Sequence, residues 1–144
     1  MTPHLRAEKS ADAMWAGDRA SQALGMRIEH IAPGAATLSM TVRGDMVNGH
    51  DLCHGGYIFT LADSAFAFAC NTYNQRTVAQ QNQITYVAPA HAGEVLTANA
   101  IEITRAGRSG TYDITVTGGD GRTVALMRGL ARTISGTHFN EDQP

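Results

Sequence analysis

The residues best suited to chemistry lie between positions 54 and 63. There His54-Gly55-Gly56 opens a segment that is apolar on nearly every side and carries one acid, Asp63. Such a segment predicts a buried helix, and a carboxylate on a buried helix is unfavourable unless it is paired or used in a reaction. The two glycines leave unpaired backbone N–H groups at the positive end of the helix dipole. An anion-stabilising helix end and an isolated carboxylate together indicate acyl-transfer or hydrolytic chemistry.

Both features also have a purely structural interpretation. Glycines permit a tight turn into a helix, and Asp63 would be satisfied by a salt bridge with an arginine from a strand. We favour the functional interpretation for Gly55 and Gly56 because a polar loop leads directly into them. We favour it for Asp63 because the residues on both sides of it are apolar.

The spacing of the two groups adds a geometric constraint. Asp63 follows Gly55 by eight residues, which on a helix is a separation of about 12 Å. One substrate carbonyl cannot lie about 3 Å from both groups. If both act on one atom, they must come from different chains. Two such helices running antiparallel would form two equivalent sites at a two-fold interface.

Several neighbouring polar residues are weaker candidates. Asn48 could hold a water or a carbonyl, or it could form an ordinary Asn-Gly turn. His50 and His54 could be bases, although a histidine beside a glycine turn is more often a hydrogen-bonded loop anchor. Cys53 is disfavoured as a nucleophile because adjacent side chains diverge, so His54 is not its base. Ser64 points roughly 100° away from Asp63 and favours a packing role.

The pattern of apolar residues predicts a helix, two strands, the long apolar helix, and four more strands. The first helix follows Ser10, a suitable N-cap, and ends at Gly25. The long helix runs from the glycines to about residue 71. The strands are predicted at 26–32, 36–42, 78–87, 94–104, 111–117 and 122–134.

Short glycine-rich turns at 106–110 and 118–121 require antiparallel pairing of the later strands. One apolar helix with several antiparallel strands has one economical arrangement, in which the sheet curls around the helix. We therefore predict an α+β protein with the hotdog fold. In this fold a curved antiparallel sheet of five or six strands wraps around a long central helix.

The composition is that of an ordinary globular protein. The length of 144 residues predicts one domain, 1–144, with flexible ends at 1–9 and 135–144. A net charge of -2 gives no general attraction for nucleic acid. No metal-ligand spacing is present, so no metal is expected. The N-terminus lacks a secretory signal pattern and Asp63 interrupts the longest apolar run, so we expect a cytoplasmic protein that does not enter membranes.

Beyond these patterns, nearly the whole chain, from about 14 to 134, resembles the hotdog-fold acyl-CoA thioesterases, and among them the phenylacetic-acid-degradation type. The resemblance is most specific where Asn, His-Gly-Gly and Asp occur together at this spacing. It is carried by 48–56, 61–65, 84–86, Pro89, 107–108 and 123–129.

The resemblance implies roles for four residues. It implies that Asp63 is the general base or the nucleophile and that the Gly55 N–H polarises the thioester carbonyl. It also implies that Asn48 helps to bind the carbonyl or the water and that His54 supports the site. Relatives often carry Ser or Thr on the strand after the helix. This chain has Ala-Gln-Gln-Asn there, which makes Gln81 our candidate for orienting the water.

For substrate binding, the resemblance implies that the 105–110 turn contacts coenzyme A, although composition alone favours a solvated hairpin end. With Gly56 and Gln81, the predicted binding residues are therefore Arg105, Gly107, Arg108, Ser109 and Gly110. The implied substrate is an aryl or other acyl-CoA such as phenylacetyl-CoA or a hydroxylated derivative. No cofactor is implied because coenzyme A is part of the substrate. The implied assembly is a homotetramer of two dimers.

Alternative functions remain at this point. A hotdog enoyl-CoA hydratase would need a histidine placed to act with Asp63, and none follows it at short helical spacing. A non-catalytic acyl-CoA binding protein would need Asp63 to be structural. A purely structural domain of a larger assembly is disfavoured because no regulatory or DNA-binding segment is appended.

Overall fold

The computed structural model describes residues 1–143, and the predicted hotdog fold is confirmed. In this part of the chain one antiparallel sheet has six strands in the order β1-β2-β4-β5-β6-β3. A short 3-10 turn at Gly44–Met46 precedes the loop that leads into the central helix. The helices are α1 (Pro3–Gly17), α2 (Arg19–Ala23) and α3 (Gly55–Cys70), and the strands are β1 (Arg27–Ala32), β2 (Ala35–Thr41), β3 (Thr77–Tyr86), β4 (Val95–Ala106), β5 (Ser109–Thr117) and β6 (Thr123–Thr133).

The central helix α3 forms the core because the sheet curves around it, and the helix contacts all six strands. Most of its apolar side chains are buried, Leu61 and Phe66 fully so, as its sequence predicts. Among the described residues, no helix combines the length and the apolar character that crossing a bilayer requires.

Gly129 of β6 packs directly against the Phe66 side chain of α3. A Cβ atom on this residue would lie 2.7 Å from the ring of Phe66. Real Cβ atoms do not come so close to a fixed ring, so a side chain here would displace the ring or the strand. The missing side chain therefore sets how tightly the sheet closes on the helix.

We expect Gly129→Ala to lower the free energy of unfolding by about 1–3 kcal/mol, because it overpacks a rigid core contact. Urea denaturation of the purified protein measures this effect. Gly119→Ala in the β5–β6 turn is the matched control because a Cβ atom there meets nothing within 4 Å. Equal denaturation midpoints for the two variants would contradict the proposed close packing.

Strand β3 lies at one edge of the sheet and pairs only with β6 on its other side. A register shift between Ala79 and Gln81 interrupts this pairing. Large apolar residues are exposed along this edge or just beyond it, with Val78 47% exposed and Val87 54% exposed. An exposed strand edge with apolar residues can pair with a strand of another chain.

The N-terminal helix starts earlier than the sequence predicts. It begins at Pro3 with Thr2 as its N-cap, whereas the prediction started it after Ser10. Ser10 instead lies buried inside the helix and donates a hydrogen bond to the Arg6 carbonyl. Proline is well suited to the first helical turn, where no N–H is required.

The two ends of the chain meet through a salt bridge between Arg6 and Glu141, with a distance of 2.6 Å between Nε and Oε1. Asn74 also donates a hydrogen bond to the Phe139 carbonyl at 3.0 Å. The flexibility expected of 1–9 and 135–144 stays a prediction, and residue 144 lies outside the described residues.

Candidate active site

The helix α3 opens with its first N–H free. Gly55 is half-buried, and within residues 1–143 its N–H donates to no protein group. The next N–H, that of Gly56, donates to Nδ1 of His54 at 2.9 Å. His54 is therefore the N-cap of the helix, with its ring proton on Nε2 when Nδ1 accepts. The structure corrects the prediction that both glycine N–H groups face substrate, because only the Gly55 N–H remains available.

Gly55 is held by Tyr86 at the end of β3. The Tyr86 hydroxyl donates to the Gly55 carbonyl at 2.9 Å. A Cβ atom on residue 55 would lie 2.9 Å from the Tyr86 ring. Glycine is thus required by close approach, and the contact orients the peptide that begins the helix.

Asn48 shapes the loop before the helix. Its Oδ1 accepts from the backbone N–H groups of His50, at 2.9 Å, and Leu52, at 3.2 Å. This is the turn role that the residue pair Asn-Gly predicts. The Asn48 side-chain NH2 has no partner among residues 1–143, and Asn48 lines the same cavity as Gly55. Its amide nitrogen can therefore donate to a ligand oxygen.

The cavity beside Gly55 is largely apolar and has a volume of about 410 Å³. Its apolar walls come from the loop, from α3, and from the end of β3 with the residues that follow it. They include Leu52, Ile58, Tyr86, Val87, Ala88 and Pro89. A cavity of this character favours an apolar acyl group over a charged one.

Asp63 is half-buried in the middle of α3, and its Oδ1 accepts a hydrogen bond from Nδ2 of Asn82 at 2.8 Å. Within residues 1–143 no arginine, lysine or histidine forms an ion pair with it. The salt-bridge interpretation is therefore not supported. Asp63 instead borders a second cavity of about 350 Å³, with Met14, Phe66 and Val78 among its walls.

The strand residue in contact with Asp63 is Asn82, so the structure does not bring Gln81 and Asp63 together, and the water-orienting role of Gln81 stays a prediction. Gln81 is exposed, and the adjacent Asn82 points to the opposite face of the strand. Asn82 has the same parity as Ile84 and Tyr86, both of which face the helix side. Counting back from these residues would have found it.

The two halves of the predicted site do not meet within one chain. The cavity at Gly55 and the cavity at Asp63 share no lining residue. Along the helix axis the two residues are about 12 Å apart. In the folded protein, as the sequence spacing predicts, Gly55 and Asp63 of one chain are too far apart to act on the same substrate atom.

The predicted coenzyme A turn lies near the C-terminal end of α3, far from Gly55. Arg105 lies over the Tyr73 ring, with 3.5 Å between the guanidinium carbon and the ring centroid. Gly107 has a φ of 60°, which allows the tight turn. Arg108 and Ser109 are exposed, whereas Gly110 is buried against the Tyr112 ring. Arg105 is exposed as well but is stacked on Tyr73, so Arg108 is the cation of this turn whose side chain has no partner among residues 1–143.

The remaining candidates have structural surroundings. Cys53 is buried, and its burial, with a smaller contribution from the charge of Glu94, raises the pKa of its thiol. A raised pKa disfavours the nucleophilic thiolate. The Ser64 hydroxyl forms a hydrogen bond with that of Ser21 at 2.8 Å, which supports the packing role predicted for it.

Comparison with known proteins identifies the family of this chain. The family model of the thioesterase superfamily matches residues 50–125, which include Gly55, Asp63 and Asn82. The acyl-coenzyme A thioesterase PaaI of Escherichia coli (strain K12) is 42% identical over 136 residues, covering 94% of this chain and 97% of that protein. A putative esterase of Archaeoglobus fulgidus is 34% identical and covers 95% of this chain and 86% of its own length.

Solved structures of similar proteins support the same family. The structure of the E. coli PaaI protein from the phenylacetic acid degradation operon superposes with a TM-score of 0.93 at 40% identity, covering 94% of this chain and 99% of that one. The TT0310 protein from Thermus thermophilus superposes with a TM-score of 0.78 at 38% identity, covering 81% and 98%. The chain belongs to the thioesterase superfamily.

Proposed function

We propose that this enzyme hydrolyses an acyl-CoA thioester to the free acid and coenzyme A, with an aryl substrate such as phenylacetyl-CoA or a hydroxylated derivative. The observation that supports this most directly lies on α3, where, among residues 1–143, the Gly55 N–H has no acceptor and Asp63 has no ion pair. The names of the E. coli relative and of its operon support the substrate class.

The reaction needs an electrophile-binding group and a group that activates water. The thioester carbonyl oxygen accepts from the Gly55 N–H, assisted by the Asn48 NH2, so developing negative charge lies at the positive end of α3. Asp63 takes a proton from water as the water oxygen bonds to the carbonyl carbon, and this proton later passes to the thiolate. Alternatively, Asp63 attacks that carbon directly, and water hydrolyses the resulting acyl–Asp63 anhydride after the thiolate has left. The C–S bond then breaks, and the coenzyme A thiolate leaves and receives a proton.

We propose that each active site is built from two copies of the chain. On β3, Tyr86 contacts Gly55 and Asn82 contacts Asp63. The two strand residues that mark the two halves of the site are therefore four positions apart. If β3 strands of two copies pair antiparallel about a two-fold axis near Ile84, Tyr86 of each copy lies opposite Asn82 of the other. That pairing brings Gly55 of one copy towards Asp63 of its partner and covers the exposed edge of the sheet.

We propose a homotetramer of two such dimers as the full assembly, consistent with the family resemblance. The reaction as written uses water and side chains of this chain, and coenzyme A enters as part of the substrate. We therefore propose that no separate cofactor takes part.

The proposed activity is tested by following free-thiol release from phenylacetyl-CoA and from a medium-chain acyl-CoA. Catalytic turnover of either thioester supports hydrolysis, and a higher kcat/KM for phenylacetyl-CoA supports the aryl substrate. Tight binding of both thioesters without thiol release over hours would favour a non-catalytic acyl-CoA binding protein.

We expect Arg108→Gln to raise KM for an acyl-CoA about five- to tenfold with little change in kcat, because it removes one charge-assisted phosphate contact remote from the reacting carbon. Steady-state kinetics at low ionic strength measure the effect. Arg27→Gln is the matched control, since its side chain is exposed and lies on the edge strand β1, outside the β4–β5 turn. Equal KM values for the two variants would remove Arg108 from the binding site.

A further inference from the structure

The C-terminal tail after β6, residues 134–143, is docked onto the protein by two buried asparagines at and just beyond the end of α3. Oδ1 of Asn74 accepts from the backbone N–H groups of His138, at 2.9 Å, and Phe139, at 3.2 Å. Its Nδ2 donates to the Phe139 carbonyl at 3.0 Å. Oδ1 of Asn71 accepts from Nε2 of His138 at 2.8 Å. Buried amides that are fully hydrogen-bonded rigidify the groups they hold, so the tail has a defined course over the protein.

Two side chains of the tail line the cavity that borders Asp63. They are Ile134 and His138, and the other walls come from α1, α3 and β3 with the residue before it. Asn71 follows Asp63 by eight residues, which along a helix is about 12 Å. Because His138 is bonded to Asn71, it lies at that distance from the acid, towards the C-terminal end of α3. The tail therefore forms the end wall of a cavity that begins at the proposed base.

The walls of this cavity suit an apolar group. Their amide and hydroxyl side chains, Asn71 and Thr77, already have hydrogen-bond partners in the protein. The acidic and basic residues of the wall are Asp63 and the exposed Arg76. Burial, with a contribution from the charge of Arg76, lowers the pKa of His138, so its ring is neutral at neutral pH. The pantetheine arm of coenzyme A carries amide groups that such walls would leave without partners, whereas an aryl or alkyl group needs none.

In the proposed dimer this cavity adjoins the Gly55 cavity of the second copy. Pro89 lines the Gly55 cavity, and Ala79 lines the Asp63 cavity. Both are five residues from Ile84, so antiparallel pairing about Ile84 brings Pro89 of one copy close to Ala79 of the other. The reacting carbonyl then lies where the two cavities meet, and an acyl group can extend from it along α3 towards the tail.

We propose that the acyl group of the substrate occupies the cavity beside Asp63, and that Ile134 and His138 form the wall that limits its size. This inference rests on the proposed thioester hydrolysis and names the residues that select among acyl groups. One methylene more or less in an apolar pocket typically changes kcat/KM about 10- to 200-fold. Changes to this wall should therefore alter acyl selectivity without touching the reacting groups.

The first test is His138→Ala, with kcat/KM measured on phenylacetyl-CoA and on a series of straight-chain acyl-CoAs. We expect the ratio of kcat/KM for decanoyl-CoA to that for phenylacetyl-CoA to rise at least about tenfold, because the smaller residue lengthens the cavity. His138→Gln should keep the wild-type ratio, since its side-chain NH2 can still donate to Asn71. The matched control is His30→Ala, whose side chain is exposed on the edge strand β1 and which should also keep the ratio.

The second test is Ile134→Trp, which should shorten the cavity and decides alone if His138→Ala does not fold. Ile134 is 48% exposed, so a larger side chain has room at this position. We expect kcat/KM for phenylacetyl-CoA to fall at least about tenfold. The value for the shortest acyl-CoA that the wild-type enzyme hydrolyses should change less than twofold, because that acyl group does not reach the tail.

The outcomes separate the tail from the rest of the enzyme. Wild-type ratios in the folded variants would overturn the proposal. An equal change for every acyl-CoA would also overturn it, because the tail would then contact coenzyme A, which all these substrates share. Absence of wild-type turnover on every acyl-CoA tested would instead contradict the proposed function itself.

Discussion

Replacing Asp63 by Asn is expected to lower kcat on an acyl-CoA by about 10²–10⁴, because the variant has no general base beside the water. The fold should survive the change. An asparagine at this position keeps an oxygen that can accept the hydrogen bond from Asn82, and no ion pair is lost within residues 1–143. Substrate binding should therefore remain while turnover is lost.

Free-thiol release gives kcat for the variant, and calorimetry with the same acyl-CoA gives its Kd. The matched control is Asp113→Asn, which makes the same chemical change at the salt bridge with Arg128, 2.7 Å between Oδ1 and Nε, on the outer face of the sheet. This control should retain wild-type kcat. Equal turnover by Asp63→Asn and the wild type would remove Asp63 from the mechanism.

The fold could be predicted because its strongest determinants are local. An apolar helix with few polar positions must be buried, and the glycine-rich turns near Gly107 and Gly121 require antiparallel neighbours. The start of α1 was predicted wrongly because serine is a common N-cap residue and Ser10 was chosen. The actual N-cap is Thr2, and Pro3 after it favours the first helical turn. The proline after Thr2 is the sequence signal that distinguishes the two candidate caps.

The candidate site could be predicted in part for the same reason. Gly55 and Asp63 stand out by residue type against their surroundings. The occupation of the Gly56 N–H by His54 depends on a side-chain rotamer that sequence does not show. The partner of Asp63 was missed because Gln81 was chosen without counting back from Ile84 and Tyr86, whose side of the strand Asn82 shares.

A site shared between two chains makes a large quantitative prediction for mixed oligomers. Asp63→Asn alone removes the base from every site. Gly55→Ala alone is expected to lower kcat about 10²–10³-fold by displacing the oxyanion donor, because its Cβ would lie 2.9 Å from the Tyr86 ring. In a dimer of one variant chain with the other, one site has both defects and the second site has neither.

Co-expression of the two variants in equal amounts should therefore restore activity. Half of the dimers are mixed, and each mixed dimer has one intact site, so we expect about a quarter of wild-type kcat per chain from random pairing. Each variant expressed alone is the control, and Asn48→Ala replaces Gly55→Ala if that variant does not assemble. If the two groups acted within one chain, every chain would be defective and the mixture would show only the residual activity of its parents. Recovery would therefore place the carbonyl of each substrate between Gly55 of one copy and Asp63 of its partner.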